Sequence, residues 1–347
     1  MKMNIKKLLI RFSIVLFLFN ISVVNLFSQG VTKVGTTSAK FLTIPTGARA
    51  VGMGGAFVSV ANDPSALFWN SAGIINLEKP EIYISHTEWI AEINYDYSAF
   101  VYPMGDVGTL GLSLSSMTMP SMELTTETFP EGTGETFDAN SFALGISYAR
   151  KLTEWFSVGV TGKFINEKIY NSNANGFAID IGTLFVTPFD DIRLGVNISN
   201  FGQKLQMQGE DLLVQKDIDE TQYGNNESVN AYLATDKFDL PLTLRIGISG
   251  ELLKTDDSYL TWAIDAAHPN DNSEYVNIGF EYSLFNKMIQ IRGGKQSLFR
   301  NGSDDKFVFG FGSTQNVVNL FNLSMDYTME SHTYLSTIHR IGFSVQL

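Results

Sequence analysis

Residues 47–73 read GARAVGMGGAFVSVANDPSALFWNSAG. Glycines crowd a turn, an apolar run follows, and an Asp-Pro pair could open a helix. Backbone amides in that arrangement can hold a phosphate. The details argue against a nucleotide site, because GMGGAF lacks the Gly-Lys-Ser/Thr ending and no strand–helix–strand pattern surrounds it. Other reactive residues are sparse. His86, His268, His332 and His339 lie far apart without metal-ligand spacing, and the chain has no cysteine for a thiolate site or a disulfide. No motif singles out a nucleophile. No catalytic residue, cofactor or metal site is therefore expected, and the chain does not read as an enzyme.

The elements that would position this stretch are strands. Thirty glycines, 26 phenylalanines and 13 tyrosines make a strand-and-turn composition. LTLRIGIS (242–249) sets Leu242, Leu244, Ile246 and Ile248 against Thr243, Arg245, Gly247 and Ser249. VNIGFEYSL (276–284) repeats the alternation, with Ile278 and Phe280 opposed to Gly279 and Glu281. A period of two places successive side chains in two different environments. Segments of this kind occupy 80–89, 92–103, 108–119, 137–150, 155–168, 176–187, 191–202, 240–252, 259–268, 274–285, 287–298, 306–315, 318–329 and 333–347. The connectors sort by parity. Those after even strands are short (GDVG, KLTE, PFDD), whereas long ones, notably 120–136 and 203–239, follow odd strands, as do INEKIYNSNAN, HPNDNSE and SLFRNGSDD. Short turns at one end and long loops at the other are the pattern of a transmembrane antiparallel β-barrel of about 14 strands. In lipid an open sheet edge would leave backbone groups unpaired, so the strands must close into a ring.

Polar residues divide the faces further. Lys163, Asp180, Arg193, Arg245, Glu281, Arg292, Asp326 and Arg340 fall on the face opposite the apolar one. A basic group facing lipid at the midplane would cost about 2–4 kcal/mol, so these side chains are expected to point into the lumen as a polar network. Aromatics near strand ends, Trp89, Tyr95, Tyr97, Tyr102, Trp155, Phe189, Tyr259, Tyr282, Phe285, Tyr327 and Tyr334, are expected to form two interfacial girdles.

The chain then divides into three parts. Residues 1–28 read as a cleaved export signal, with Lys2, Lys6, Lys7 and Arg11 before an apolar core and Ser28 preceding Gln29. Residues 29–79 are too polar to span lipid and are expected to form an N-terminal hatch with short helices in the lumen. There Asp63 would cap a turn begun by Pro64, and Gly73 would end it. Arg49, Asp63 and Asn70 could pair with lumen groups. Residues 80–347 form the barrel, with loops 120–136 and 203–239 outside the cell. These loops are acidic yet carry Met122, Leu124, Phe129, Leu212, Leu213, Tyr223, Tyr232 and Leu233, which leaves two readings, a loosely packed exterior or a folded cap that lids the pore or contacts a partner protein. The net charge of −12 excludes general nucleic-acid binding.

FLTIPTGARAVGMGGAFVSVANDPSALFWNSAGI (41–74), followed by aromatic-rich strands, resembles the PorV/PorQ family of outer-membrane proteins. That family is related in architecture to the FadL long-chain fatty-acid transporters. The resemblance implies a fourteen-stranded barrel with an N-terminal luminal segment. It implies that Gly47, Arg49, Gly52, Met53, Gly54, Asp63, Pro64, Trp69, Asn70 and Gly73 shape the hatch without catalysis. It also implies a type IX secretion role in the bacterial outer membrane, receiving exported proteins through their C-terminal signal domains beside a translocon barrel. Two alternatives stand beside it. One is a FadL-like passive transporter holding a small hydrophobic ligand, with Phe41, Leu42, Ile44, Phe57, Phe68 and Trp69 lining a pocket. The other is a structural outer-membrane protein with neither cargo nor ligand.

Overall fold

A computed structural model describes residues 33–347 apart from 189–191, 220, 222–227, 301–305, 318–319 and 333–335. The expected signal 1–28 and the aromatics Phe189, Tyr223 and Tyr334 lie outside the described residues. Fourteen long strands follow one another: β1 (Glu81–Glu88), β2 (Asn94–Pro103), β3 (Thr109–Thr118), β4 (Ala139–Thr153), β5 (Phe156–Ile169), β6 (Ser172–Val186), β7 (Arg193–Gly202), β8 (Thr243–Lys254), β9 (Tyr259–Pro269), β10 (Tyr275–Leu284), β11 (Ile289–Leu298), β12 (Lys306–Val317), β13 (Phe321–Glu330) and β14 (Ile338–Gln346). Each pairs with its chain neighbour, and β14 returns to β1 with Glu81 opposite Gln346 and Glu88 opposite His339. The result is a closed antiparallel barrel of 14 strands, in which no long strand has a free edge. Among the described residues no helix is long and apolar enough to cross a membrane.

The alternation in the sequence is the alternation of the wall. Ile84, Leu112, Ile146, Phe177, Ile246, Phe280 and Phe309 project from the outer face and are exposed. Their neighbours Ser85, Gly111, Ser147, Ala178, Arg245 and Glu281 face inward against the segment that precedes β1. Two expectations need correction. Tyr95 and Tyr97 are not in a girdle; they are buried inside with Ala99 and Val101, whose parity they share. Trp89 packs against the inner cluster as well. Tyr102, Trp155, Phe285 and Tyr327 are exposed. Tyr282 is half-buried and Tyr259 lines an inner cavity. INEKIYNSNAN is not a loop either, because β5 and β6 stay paired up to Ile169 and Ser172 and turn at Tyr170, whose φ of 50° is left-handed. The polar residues there extend the hydrogen-bonded ladder without the apolar side chains that mark a strand in the sequence.

The long connectors form short ribbons of their own. Met122–Glu123 pairs with Thr136–Phe137, and Leu213–Lys216 pairs with Val229–Tyr232. Both emerge from the same end of the barrel, after β3 and β7. Gln208–Gly209 adds to the edge of β6 beyond its apolar part.

Candidate functional site

The inner segment runs from the long-loop end to the short-turn end. Thr37 bridges to Asp239, Ser38 N donates to the Asp239 carbonyl, and Lys40 Nζ meets Asp271 Oδ2 at 2.5 Å. A single 3₁₀ turn follows at Lys40–Thr43, then α1 (Ala48–Gly52), α2 (Ala66–Trp69) and a 3₁₀ turn at Ser71–Asn76, before β1 begins. These helices are too short to be stable alone, so their stability comes from the surrounding wall. Small residues make that packing possible. A Cβ on Gly52 would lie 3.3 Å from the Gly310 Cα of β12. Gly54 adopts φ of +66°, and a Cβ there would sit 2.7 Å from the Ile278 carbonyl. The wall answers in kind, since Gly279, Gly195 and Gly159 have no room for a Cβ beside Met53, Val58 and Ser71.

Fixed polar contacts seat the segment. Asp265 of β9 turns one carboxylate oxygen to the backbone N–H groups of Phe57 (2.7 Å) and Val58 (2.9 Å). Asn70 donates to the carbonyls of Val58 (2.8 Å) and Thr183 of β6 (2.9 Å), and its Oδ1 accepts from Ala72 N. Trp69 Nε1 donates to the Thr46 carbonyl at 3.0 Å, and Ala48 N donates to the Tyr83 hydroxyl at 3.0 Å. Asp63 Oδ1 accepts from Ser65 N at 2.9 Å at the turn that Pro64 enters. Gly73 ends no helix: it lies within the Ser71–Asn76 turn, where a Cβ would overlap the Ala61 carbonyl. The preceding helix stops at Asn70, whose φ of −165° is extended.

Arg49 is the centre of the charge arrangement. Its Nε and Nη2 donate to the two oxygens of Glu281, each at 2.8 Å, and its Nη1 reaches Asn62 at 2.6 Å and Asp63 at 3.0 Å. Glu281 also accepts from Arg292 Nε at 2.6 Å, and Arg292 Nη1 donates to Asp326 at 2.5 Å. Burial would lower the pKa of Arg49, but the carboxylates of Glu281, Asp63 and Asp326 hold it above its ordinary value. The guanidinium is therefore charged, and bidentate geometry makes its bond to Glu281 strong and directional.

The luminal residues expected from the sequence thus separate into groups. Glu281, Arg292 and Asp326 meet in one network with Arg49. Lys163 pairs with Asp180 at 2.6 Å, and Asn200 bonds both. Arg193 pairs with Glu251 at 2.7 Å. Arg245 lies over the rings of Trp69 and Phe68, 5.5 and 5.8 Å from their centroids. Arg340 donates to Thr87 at 2.9 Å near Glu330. The sequence reading missed Asp265, Glu251, Asn200 and Asp271. The first was within reach, since YLTWAIDA places Asp265 on the same face as Thr261 and Ala263.

Around this segment the cavities differ in character. At the short-turn end a polar vestibule of about 740 Å³ is lined by Arg49, Glu81, Arg193, Glu251, Lys254 and Glu281, among others. Inside, the space beside Leu42, Leu67, Phe68 and Tyr97 is about 20 Å³, room for roughly one water. At the long-loop end a cleft of about 560 Å³ lies between Met207, Glu210, Leu212, Tyr232 and Leu233. Leu213, Ile218, Tyr232 and Leu233 are exposed there. Among the described residues no cluster of His, Asp and Glu could hold a metal. The arrangement can hold a plug in place and present a sticky outer surface.

Residues 27–220 match the family described as type IX secretion system protein PorV. No curated protein matches the sequence. In fold the chain is similar to a Pseudomonas aeruginosa FadL homologue, with TM-score 0.54 and 12% identity, covering 86% of this chain and 97% of that one. It is also similar to the Pseudomonas putida toluene transporter TodX, with TM-score 0.55 and 11% identity, covering 86% and 96%. The CymD monoaromatic hydrocarbon channel aligns at TM-score 0.51 and 13% identity, over 85% and 95%. The family is that of a type IX secretion system protein, and the fold is the barrel that these structures share.

Proposed function

The chain belongs to the PorV family of type IX secretion system proteins, and from that premise we propose that it serves protein export as an outer-membrane barrel that receives exported proteins at its long-loop end. In this reading residues 1–28 are a cleaved signal, the long loops face outward, and residues 29–79 are a hatch that closes the lumen. A translocon barrel and exported proteins with C-terminal signal domains are its partners. The observation that carries the reading is the outer cleft, where Tyr232 and Leu233 are 66% and 56% exposed on an otherwise acidic loop. Exposed aromatic and aliphatic side chains beside a cleft are what a protein-binding surface needs. Gentle detergent extraction and affinity capture from native membranes should retrieve a large translocon barrel or exported proteins. Tyr232→Ala with Leu233→Ala should lower the recovery of exported proteins while leaving the barrel folded. Recovery unchanged by both substitutions would sink the proposed receiving surface.

The fold likeness to a toluene transporter favours a second reading, passive passage of a small hydrophobic molecule. The internal space of about 20 Å³ beside Phe68 counts against it while the hatch is seated. Capture of the barrel alone, with a hydrophobe retained through washing, would support the second reading over the first.

A further inference from the structure

The short-turn end of the lumen is built in more detail than seating the hatch requires. Two cavities, of about 740 and 370 Å³, open there and share Arg49, Asn62, Glu81, Glu281 and Gln346 in their linings. Each has the size of a small-molecule site. One side of this space is a wall of carboxamides and hydroxyls in register. Asn316 of β12 donates to Asn322 of β13 at 2.8 Å, and Asn322 donates to Gln346 of β14 at 3.0 Å. Gln346 in turn donates to Glu81 Oε2 of β1 at 3.3 Å. These residues are cross-strand partners over the closure of the ring. One row deeper, Thr314 and Ser324 share a hydrogen bond of 2.9 Å, and Ser344 is the next partner of Ser324. Such side chains can hold hydroxyl and amide groups, and they offer nothing to a methylene chain.

The charge of this space is unbalanced. Arg49 and Arg292 are shared among three carboxylates, those of Glu281, Asp63 and Asp326. Glu81 is a fourth carboxylate. It is 8% exposed, lines both cavities, and forms no ion pair with a described lysine or arginine. Arg49 cannot serve it, because Nε and Nη2 are taken by Glu281 and Nη1 by Asn62 and Asp63. The rim lysines Lys79 and Lys287 are exposed. A carboxylate that deep costs free energy unless a cation meets it.

We propose that this vestibule binds a primary ammonium group carried on a hydroxyl- or amide-bearing body. Glu81 receives the ammonium, and the wall of Asn322, Gln346 and Ser344 holds the body. Among the described residues no three His, Asp or Glu side chains stand together to hold a metal ion, whereas an ammonium needs one carboxylate and neutral oxygens. Two sources carry this chemistry, an amino sugar and the lysine side chain of a polypeptide. The site follows from the barrel and its hatch. The export reading enters only by placing this end on the inner side of the outer membrane.

Binding is measured by saturation-transfer NMR and calorimetric titration on the full-length barrel purified in detergent. The probes are glucosamine and Nα-acetyl-lysine amide, each compared with the form whose amine is acetylated, and butylamine, which has the ammonium without a polar body. At least one of the first two should bind, and its acetylated form should bind about tenfold or more weakly. Butylamine should be weaker as well. Glu81→Gln keeps the shape and removes the charge, so it should lower the affinity about tenfold. Asn322→Ala should weaken the polar-bodied probe about threefold and leave butylamine unchanged. Binding of glucosamine alone identifies an amino sugar, and binding of the lysine amide alone identifies a polypeptide side chain. Binding of both supports the chemistry they share. Equal binding of the acetylated forms, equal binding of butylamine, or no binding of either amine would overturn the proposal. Unchanged affinity in a folded Glu81→Gln barrel would do the same. Should that variant fail to assemble, the acetylated probes decide the matter on the unaltered protein.

Discussion

Phe280 and Glu281 are consecutive residues of β10 that live under different rules. Phe280 projects outward and is 46% exposed, whereas Glu281 points inward and is 4% exposed. The outer face asks only for a class of side chain: Phe309, Ile246, Leu112 and Met325 occupy equivalent settings, because a lipid tail conforms to any apolar shape. The inner face asks for particular residues at particular places. Glu281 has to receive two guanidinium groups, Asp265 two backbone N–H groups, and Gly279 has to be a glycine to let Met53 approach. A fluid partner tolerates substitution, and a packed plug does not.

Four experiments would break or sharpen that contrast. The largest effect is expected inside, for Glu281→Ala, which leaves Arg49 and Arg292 facing each other without a carboxylate between them. Breaking a buried pair of this kind costs about 3–5 kcal/mol, and the hatch should become open to protease while the strands remain assembled. A hatch as resistant as the unaltered one would show that the network does not hold it. Outside, Phe280→Arg should cost about 2–4 kcal/mol and Phe280→Leu less than about 1.5 kcal/mol. Heat-modifiable migration on gels reports assembly, and normal assembly of the arginine variant would refute the lipid-facing assignment. Third, Asp265→Ala removes the shared acceptor of Phe57 and Val58, a loss of about 1–3 kcal/mol for a buried unsatisfied group. Faster hydrogen exchange at those two amides is the readout, and unchanged protection would mean that packing alone seats the turn. The smallest effect belongs to Lys40→Ala at the rim. Its side chain is 54% exposed, so the pair with Asp271 is worth at most about 1 kcal/mol. A measured change in urea midpoint beyond that would show the rim to be tighter than the burial suggests.

Much of this wall was legible beforehand for a local reason. Alternation of side chains is a property of one strand, so LTLRIGIS and VNIGFEYSL display their two faces without reference to any neighbour. The sorting of connectors by parity then pointed to a membrane barrel, lipid required its edges to close, and the barrel has the 14 strands counted from the alternation. Where the reading went astray, the missing information was a distant partner. Tyr95 and Tyr97 carry the composition of an interfacial girdle, and only the hatch beside them makes their inward placement favourable. Gly73 has the sequence setting of a helix stop, yet what requires a glycine is the Ala61 carbonyl against it. INEKIYNSNAN lacks apolar alternation because its strands extend past the apolar band, where hydrogen bonding alone holds them together.

The sequence by itself therefore determined the class of structure: closed strands, an apolar exterior, a polar lumen and an N-terminal segment too polar to cross lipid. Those follow from the period of two and from the cost of unpaired polar groups in hydrocarbon, which act along each strand independently. Only the tertiary structure decided which charges meet. Arg49 and Glu281 are 232 positions apart, and nothing in either neighbourhood names the other. Pairing at that separation is set by ring closure and by how far the hatch descends into the lumen, and both are properties of the assembled wall.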